Sequence, residues 1–402
     1  MKRRRIFYFC PRGLSKHLHI YIGWVLEARK HNLPIYLITT IGIREYFKTP
    51  LIFRERGVIL IPSLKSLDRI LTTVFFLIQI IRNKLTVIHI RKRGTRIFEK
   101  LKKIFPNKLK TVIEYEGDLE YEYDYIRNHP YKNNYYSDIF NLKEKKYKIK
   151  RYKSSLLEAD HILCVSENLK NLYISRDSID ESKITSITTG CDANRFRYSK
   201  EARNKYRKKL GLESNFVLIY VGSVYFSWQK ISRSLKVYKL IKNIKENTKM
   251  IIITRESDKS ILIDLIKRNN ISPDNLMIKY SIPNEEISNY LNASDLGIIL
   301  RDNHPMNNVA APGKFGEYLC SGLPVLTGVG IADFSEKLAN TSYGIVLDDI
   351  NDDNELKSKF ENYINLYEKI NREEISLWGH SIFSFQEHIN KYIETMKKLL
   401  IN

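Results

Sequence analysis

The segment 301–324 of this 402-residue chain contains residues whose types and spacing suit the binding of a phosphate. The apolar run 295–300 predicts a buried parallel strand that ends directly before it. A polar loop should follow, and then a helix over 313–320, because Pro312 suits the first helical position and Gly322 suits the position after the end. Free backbone N–H groups and the positive dipole end at the start of such a helix favour an anion.

Two charged side chains lie on one side of this predicted helix. Lys314 falls in the first turn, where a cation is unfavourable beside the helix dipole unless an anion lies nearby. Glu317 follows one turn later, where its carboxylate could accept hydrogen bonds from a sugar diol. The alternative is an ordinary strand–helix unit in which Lys314 and Glu317 form a solvated i,i+3 pair.

The pattern N-x-V-x-x-P-x-K-F-x-E-Y-L-x-S-G-L-P-V over 307–325 resembles the donor-binding segment of bacterial glycosyltransferases of the retaining family 4 type. Those enzymes build capsule, O-antigen and exopolysaccharide chains. The resemblance implies an α/β protein with two Rossmann-like domains facing each other across a cleft, the GT-B arrangement. It also implies that Glu317 holds the ribose of a nucleotide-sugar. Many members carry a second glutamate eight residues earlier, and Val309 occupies that position here.

Two further segments resemble the same enzymes. The stretch A-D-H-I-L-C-V-S-E-N-L (159–169) and the later T-G-C-D-A-N-R-F (189–196) are similar to their domain junction. The loop after the predicted strand 216–221 resembles their glycine loop with a phosphate-binding lysine, which is Lys230 here. An arginine often follows the glycine in that family, and Ser223 replaces it. The spacing of a P-loop is absent.

The resemblance also implies other parts of a donor site. Backbone around Gly13, after the first predicted strand, would approach the donor diphosphate, and backbone around Tyr280–Ile282 would contact the nucleotide base. Arg255 follows a predicted strand of the same domain. The donor-binding residues that we expect are Gly13, Gly222, Ser223, Lys230, Arg255, Tyr280, Ile282, Asn308, Pro312, Lys314 and Glu317.

Charged residues also follow the fourth and fifth predicted strands. Arg91 and Arg93 could hold an anionic acceptor such as a lipid diphosphate, or could be plain surface charge. In the run EYEGDLEYEYD (114–124), Glu116 and Asp118 are acceptor-site candidates beside tyrosines that could stack on sugar rings, and Glu116 is the candidate catalytic base; the alternative is a charged loop. The chain contains no Asp-x-Asp, the metal-binding motif of other glycosyltransferases, so we expect neither a metal nor another cofactor.

The net charge of +22 makes nucleic acid an obvious partner to test. No recognition-helix, zinc-finger or RNA-binding motif is found, however, and Lys, Ile, Asn and Tyr are all abundant, so we expect no nucleic-acid partner. An anionic membrane surface would also attract basic faces. We therefore expect peripheral association with the inner leaflet of the cell membrane.

Cysteine usage and hydropathy bear on the compartment. Four scattered cysteines with no C-x-x-C pair fit the reducing cytosol. The basic start of the chain, 1–5, is not followed by the apolar stretch of a signal peptide. The apolar helical stretch 70–81 is shorter than the roughly 20 residues that cross a bilayer, so we expect it to be a buried crossover helix.

Alternating short apolar runs and longer amphipathic segments predict parallel sheets covered by helices. Strands are expected at 6–10, 34–39, 58–61, 85–90, 109–115, 160–165 and 183–188, and then at 216–221, 249–254, 276–280, 295–300 and 343–347. Helices are expected at 18–31, 67–82, 166–174, 231–245, 313–320 and 388–400. The strand at 160–165 is expected to close the first sheet.

These observations predict an acceptor-binding first domain, 1–192, joined by the final helix, 385–402, and a donor-binding second domain, 193–384. The resemblance implies transfer of a sugar from a nucleotide-sugar, with retention at the anomeric carbon, to a lipid-linked oligosaccharide of the cell surface. Two alternatives remain. One is a non-catalytic protein whose basic cleft holds a nucleotide or polyanion, and the other is a cytosolic transferase with a small soluble acceptor.

Overall fold

The computed structural model describes residues 3–10, 18–42, 57–63, 67–91, 95–129, 142–188 and 190–401. These residues form two compact units. The first contains those within Met1–Glu120, Asn141–Gly190 and Phe385–Asn402, and the second contains those within Tyr121–Phe140 and Cys191–Ser384. Compared with the boundaries expected from the sequence, the described residues assigned to the other unit are 121–129 and 191–192.

The first unit is built on a seven-stranded sheet in which every strand pair is parallel. Its strands are β1 (Arg4–Cys10), β2 (Ile35–Gly42), β3 (Val58–Ser63), β4 (Leu85–Arg91), β5 (Leu109–Tyr115), β6 (His161–Cys164) and β7 (Ile184–Ser186). The strand order is β3-β2-β1-β4-β5-β6-β7, so the winding direction reverses between β1 and β4. The expectation that 160–165 closes this sheet is wrong, because β7 lies outside β6.

Helices cover both faces of this sheet. They are α1 (Leu18–Lys30), α2 (Asp68–Arg82), α3 (Thr95–Ile104), α5 (Lys145–Glu158) and α6 (Glu167–Asp177), whereas α4 (Leu119–Asn128) starts in this unit and belongs mostly to the second. Alternate residues of β1 enter two separate cores, with Phe7 and Phe9 packed under α2 and α3, and Ile6 and Tyr8 packed on the opposite face. Burial on both faces explains why these strands read as continuous apolar runs.

The second unit has a six-stranded parallel sheet of order β10-β9-β8-β11-β12-β13. Its strands are β8 (Phe216–Val221), β9 (Thr248–Thr254), β10 (Leu276–Tyr280), β11 (Leu296–Ile299), β12 (Val325–Gly328) and β13 (Gly344–Leu347). The direction of winding reverses between β8 and β11. Each unit is therefore a doubly wound, Rossmann-like domain, and the predicted fold class is confirmed.

The helices of the second unit also lie on both faces of its sheet. They are α7 (Lys200–Leu210), α8 (Ile231–Ile244), α9 (Lys259–Arg268), α10 (Ile287–Ala293), α11 (Pro305–Val309), α12 (Gly313–Cys320), α13 (Phe334–Ala339), α14 (Asp353–Leu366) and α15 (Arg372–Phe383). The last helix, α16 (Phe385–Ile401), belongs to the first unit, where Ile389, Tyr392 and Met396 join the core beside α1.

Asp295, directly before β11, fixes the central strands of the second sheet at their amino ends. Its buried carboxylate accepts a hydrogen bond from the backbone N–H of Val217 (2.7 Å) and one from Arg207 (3.1 Å), and it is also bound by Arg203. Burial by itself would raise the pKa of Asp295, but the two arginines lower it. The ionised carboxylate of Asp295 thus joins the amino end of β11 to the amino end of β8.

Three local expectations need correction. The loop expected over 301–311 contains the short helix α11, and Pro312 is the N-cap of α12 instead of its first helical residue. Part of the acidic run after β5 is helical, in α4. In contrast, Ser166 caps α6 as its sequence context predicts, and its hydroxyl accepts a hydrogen bond from the N–H of Leu169 at 3.1 Å.

Helix α2 is only half buried. Phe76 and Ile80 lie in the core, but the opposite face exposes an apolar stripe formed by Leu67, just before the helix, and by Ile70, Val74, Ile78 and Ile81, which are 41–56% exposed. The expectation of a buried crossover helix is therefore wrong for this face. In the described parts of the chain, no helix has the length and hydropathy needed to span a membrane.

Candidate functional site

The loops after β8 and β11 meet at the carboxyl edge of the second sheet. The two strands pair in parallel, with Leu296 opposite Leu218 and Gly297 opposite Ile219. The chain leaves β8 at Gly222 and leaves β11 near Arg301, so both loops start at the same level of the sheet. The point between these strands is where the winding reverses, which is where open α/β sheets bind ligands.

Lys230 reaches from the first of these loops to the second. It is the N-cap of α8 and has a left-handed backbone (φ 44°), which is rare for a residue with a side chain. Its Nζ lies 2.6 Å from Oδ2 of Asp302, and both side chains are about one-quarter exposed. Tyr125 donates a hydrogen bond to the same oxygen at 2.9 Å. The lysine expected to meet the donor phosphates is therefore held at the sheet edge by a carboxylate.

Lys314 and Glu317 form an ion pair in the first turns of α12. Nζ of Lys314 lies 2.6 Å from Oε2 of Glu317, and the side chains are 34% and 16% exposed. The i,i+3 pairing of the alternative interpretation is thus present, although Glu317 is mostly buried instead of solvated. Its carboxylate still reaches the surface, so a role in holding a ribose stays a prediction.

Ser223 has an internal role. Its hydroxyl donates to the buried Asp258 at 2.7 Å, and the same carboxylate oxygen accepts bonds from the N–H of Val224 (3.0 Å) and the hydroxyl of Thr254 (3.0 Å). The side chain expected in the donor site therefore stabilises the loop after β8 from within. It does not provide the positive charge of the arginine that the resembled family has there.

The other donor-site candidates lie around the same edge with different exposure. Arg255 is exposed and lies over the ring of Phe226, with 5.6 Å from its guanidinium carbon to the ring centroid. Tyr280 ends the edge strand β10, and Ile282 packs partly into the core. Asn308 lies against Gly330, whose positive φ of 74° and lack of Cβ permit the close approach.

Four positions named from the sequence either lie outside the described residues or are buried. Gly13 and Arg93 lie outside the described residues. Val309, at the position of the family's second glutamate, is buried in the described structure. Pro312 is buried, so its contribution to a donor site would be through the backbone that starts α12.

A second polar network occupies the carboxyl ends of β1, β4 and β5 in the first unit. The carboxylate of Glu114 accepts a hydrogen bond from Tyr8 (2.8 Å) and lies 3.2 Å from Nε2 of His89 and 3.9 Å from Nε of Arg91. The other ring nitrogen of His89 lies 3.0 Å from the hydroxyl of Tyr392. Burial alone would raise the pKa of Glu114, but hydrogen bonding from His89 and the charge of Arg91 lower it to about 2.

This network lines an open pocket within the first unit. Aromatic rings from Tyr21, Trp24 and Tyr392 form much of its wall, together with Arg91 and Glu114. The guanidinium of Arg91 lies over the ring of Tyr21 at 4.4 Å from its centroid. An ionised carboxylate beside flat apolar rings can bind a polyhydroxylated ring through hydrogen bonds and stacking.

The structure brings some of the acceptor-site candidates together and separates Asp118 from them. Arg91 forms ion pairs with Glu114 and with Glu116, so those side chains are brought together. Asp118 is fully buried and is bound by both terminal nitrogens of Arg176 (3.1 and 2.7 Å) and by the hydroxyl of Tyr152 (3.1 Å). The prediction that Asp118 contacts an acceptor is therefore wrong, because its carboxylate is sealed inside the domain.

Sequence reasoning missed several members of this first-unit network. Tyr8 and His89 lie inside strands that read simply as apolar, and Glu114 is the last-but-one residue of β5. A histidine in an otherwise apolar strand, followed by a carboxylate at the end of the next strand, was the available signal. Among the described residues, no group of three or more His, Cys, Asp or Glu side chains is placed to hold a metal ion.

Comparison with known protein families agrees with this architecture. Residues 20–195 match the family model described as Glycosyltransferase Family 4, and residues 202–375 match that described as Glycosyl transferases group 1. The chain is therefore a glycosyltransferase with two Rossmann-like domains. Because its first half matches the family 4 model, it is a family 4-like glycosyltransferase.

Solved structures share the fold over nearly the whole chain. Sucrose-phosphate synthase from Thermosynechococcus elongatus has a TM-score of 0.75 at 13% identity, with 99% of this chain and 100% of that one covered. A glycosyltransferase from Rickettsia africae has 0.69 at 17%, covering 100% and 99%, and Anabaena HepE in complex with UDP-glucose has 0.68 at 14%, covering 98% and 99%. No curated protein gave a significant match.

The internal role of Asp118 can be tested by stability. Asp118→Asn should lower the free energy of unfolding by about 3 kcal/mol, because Arg176 loses a buried, charged partner. The control is Glu120→Gln, which removes a partly exposed contact of the same arginine (3.2 Å) and should cost about 1 kcal/mol or less. Chemical denaturation measures both, and equal stabilities for the two variants would contradict the internal role.

The strained backbone at Lys230 predicts an unusual ranking of substitutions. Lys230→Gly should be more stable than Lys230→Ala by about 1 kcal/mol, because only glycine adopts the left-handed conformation without strain. The same two substitutions at Lys236, an exposed position inside α8, should rank in the opposite order by a similar amount, about 1 kcal/mol. Thermal and chemical unfolding give both rankings, and the same order at the two sites would rule out the strain.

Proposed function

We propose that this glycosyltransferase moves a sugar from a nucleotide-sugar to a lipid-linked oligosaccharide of the cell surface, with retention at the anomeric carbon. The observation that carries the donor half is the carboxyl edge of the second sheet, where Lys230 and the Lys314–Glu317 pair lie on loops next to the winding reversal. Two structural neighbours were solved with such ligands: HepE with UDP-glucose, and a pneumococcal O-GlcNAc transferase with UDP and GlcNAc. A uridine nucleotide is therefore the first donor to test.

The chemical demand in this proposal is the charge on the leaving diphosphate. As the bond from the anomeric carbon to the phosphate oxygen breaks, that oxygen becomes negative, and cations already in place stabilise it. Lys230, Lys314 and the start of α12 would do this without a metal or another cofactor. A bond from the acceptor oxygen to the same carbon forms on the same face, and the acceptor proton passes to the departing phosphate.

The acceptor half of the proposal rests on the pocket of the first unit. Glu114 is ionised at neutral pH and could accept hydrogen bonds from sugar hydroxyls, while Tyr21 and Trp24 offer ring faces for stacking. Arg91 could hold a phosphate of a lipid diphosphate, although it would have to exchange Glu114 and Glu116 for that partner. Glu116 remains the candidate base, but the phosphate-assisted route does not require one.

The alternative is a binding protein that holds a nucleotide or polyanion without turnover. Two departures from the family pattern favour it: the buried Val309 replaces a glutamate, and Ser223 replaces an arginine. A small soluble acceptor in place of a lipid-linked one is the other possibility. Turnover of a donor panel with lipid-linked and soluble acceptors separates all three.

The donor site predicts selective losses of affinity. Glu317→Ala and Lys230→Ala should each weaken binding of a nucleoside diphosphate by about 1–3 kcal/mol, because each removes a charged hydrogen-bond partner. Lys337→Ala, which breaks an exposed pair with Asp333 on α13, is the control and should bind normally. Calorimetric titration with UDP, GDP and dTDP measures these affinities.

A panel of UDP-, GDP- and dTDP-sugars then tests catalysis with the same variants. Release of the nucleoside diphosphate by the wild-type protein, reduced in Glu317→Ala, is the expected result. Tight nucleotide binding with no turnover of any sugar would favour the binding-protein alternative. Normal nucleotide affinity in both Glu317→Ala and Lys230→Ala would remove this edge as the donor site.

A membrane surface fits the half-exposed helix α2. Between Arg69 and Arg82 this helix has no charged residue, and its outer face is the apolar stripe described above. Helix α3 packs beside it on the same face of the sheet, with 4.9 Å between the ring centroids of Phe76 and Phe98, and it exposes Arg96, Lys100 and Lys103 along its outer side. An apolar stripe next to a basic one suits an anionic bilayer.

Vesicle binding tests this surface. The double variant Ile70→Ser/Ile78→Ser should bind phosphatidylglycerol-containing vesicles at least about tenfold more weakly, since each side chain removed from the lipid loses roughly 1–2 kcal/mol of apolar burial. Leu377→Ser, at another exposed apolar position in α15, should bind like the wild type. Unchanged vesicle binding by the double variant would contradict docking of α2 on lipid. So would a wild-type dimer that the two substitutions separate into monomers.

A further inference from the structure

Arg301 is a cation at the donor edge that the structure leaves without a partner. It lies two residues beyond the end of β11, and its side chain forms no hydrogen bond or ion pair with any residue in the described parts of the chain. Its Nε is buried and lacks an acceptor there. The neighbouring carboxylate, Asp302, is bound by Lys230 and Tyr125 instead.

The position of Arg301 relates it to the loop after β8. The parallel register that pairs Leu296 with Leu218 makes β8 and β11 end at the same level, at Val221 and Ile299, and Ser223 and Arg301 each follow two residues later. Electrostatic coupling with Tyr220 supports the same placement, because the hydroxyl of Tyr220 donates a hydrogen bond to the carbonyl oxygen of Ser223 at 2.8 Å. Arg301 thus lies in the loop after the adjacent strand, as far beyond β11 as Ser223, at the position where the resembled family often carries an arginine, lies beyond β8.

The balance of charge at this edge points to an anion. Lys230 is paired with Asp302 and Lys314 with Glu317, and the nearby carboxylate of Asp258 is bound by Ser223, Val224 and Thr254. The side chain of Arg301 is the cation there that has no paired carboxylate among the described residues. Burial lowers the pKa of Arg301 to about 10, which still leaves it cationic at neutral pH. A buried guanidinium without a counter-charge is unfavourable, and a bound anion would remove that cost.

We propose that Arg301 binds the diphosphate of the nucleotide and supplies the positive charge that Ser223 does not. This inference rests on the donor site proposed above and assigns a further residue to it. The planar guanidinium has paired N–H donors that match two phosphate oxygens, so it suits a diphosphate better than an isolated ammonium does. Lys230 and Lys314, already paired with carboxylates, then have a supporting share in neutralising the leaving group.

Arg301→Gln tests the assignment by titration with UDP, GDP and inorganic pyrophosphate. The variant should bind the diphosphate that the wild type binds about 10–100-fold more weakly, the range for loss of a charged hydrogen bond to an anion. Arg301→Lys keeps the positive charge but not the paired N–H donors of a guanidinium. Its diphosphate affinity should lie between those of the wild type and Arg301→Gln. Arg268→Gln, at an exposed arginine paired with Asp264 on α9, is the matched control and should bind like the wild type.

The outcomes distinguish this inference from the proposed function. If the wild type and Arg301→Gln bind diphosphates equally well, Arg301 has no ligand role, and a lowered melting temperature alone would show that it serves only the fold. If the wild type binds none of the three probes, the inference also fails. If Arg301→Gln loses affinity but the wild type turns over no sugar nucleotide, Arg301 binds the diphosphate while the transferase proposal fails.

Discussion

Both sheets of this protein are parallel and covered by helices on both faces, and this constraint decides where polar chemistry can occur. A side chain inside such a strand loses water on either face, so a polar group there needs a partner. His89, inside β4, follows this rule, because its ring nitrogens lie near polar atoms of Glu114 and Tyr392. Other charged side chains lie at or just beyond the carboxyl ends of strands, as Glu114 does in the first unit and Arg301 in the second.

The carboxyl edge of the second sheet, the proposed donor site, carries paired opposite charges. Lys230 and Lys314 each have a carboxylate within 2.6 Å, which lowers the cost of holding amines on partly buried loops. The side chain of Arg301, in contrast, has no paired carboxylate among the described residues. The strained backbone of Lys230 fits this interpretation, because strain of about 1–2 kcal/mol is kept where a side chain must be aimed.

The first unit solves a different physical problem. Its pocket contains a carboxylate that must stay ionised although it is largely buried, and donors from Tyr8 and His89 together with the charge of Arg91 achieve this. Aromatic rings then complete the wall without competing for those hydrogen bonds. The result is a site suited to a neutral, polyhydroxylated ligand, with a cation at its margin. The outer faces of α2 and α3 in the same unit carry an apolar stripe and a basic stripe. Neither stripe contributes to packing of the core.

The sequence by itself determined the alternation of strands and helices, the two-domain fold class and the loop–helix unit around Gly313–Cys320, because apolar periodicity and helix-end chemistry depend on neighbours along the chain. It also indicated Lys230, Lys314 and Glu317 as candidates. Only the tertiary structure decided that Asp118 is sealed against Arg176, that Ser223 binds Asp258, and that the side chain of Arg301 has a buried Nε without an acceptor. Those outcomes depend on residues tens of positions apart whose approach is set by strand order and register, which no local pattern records.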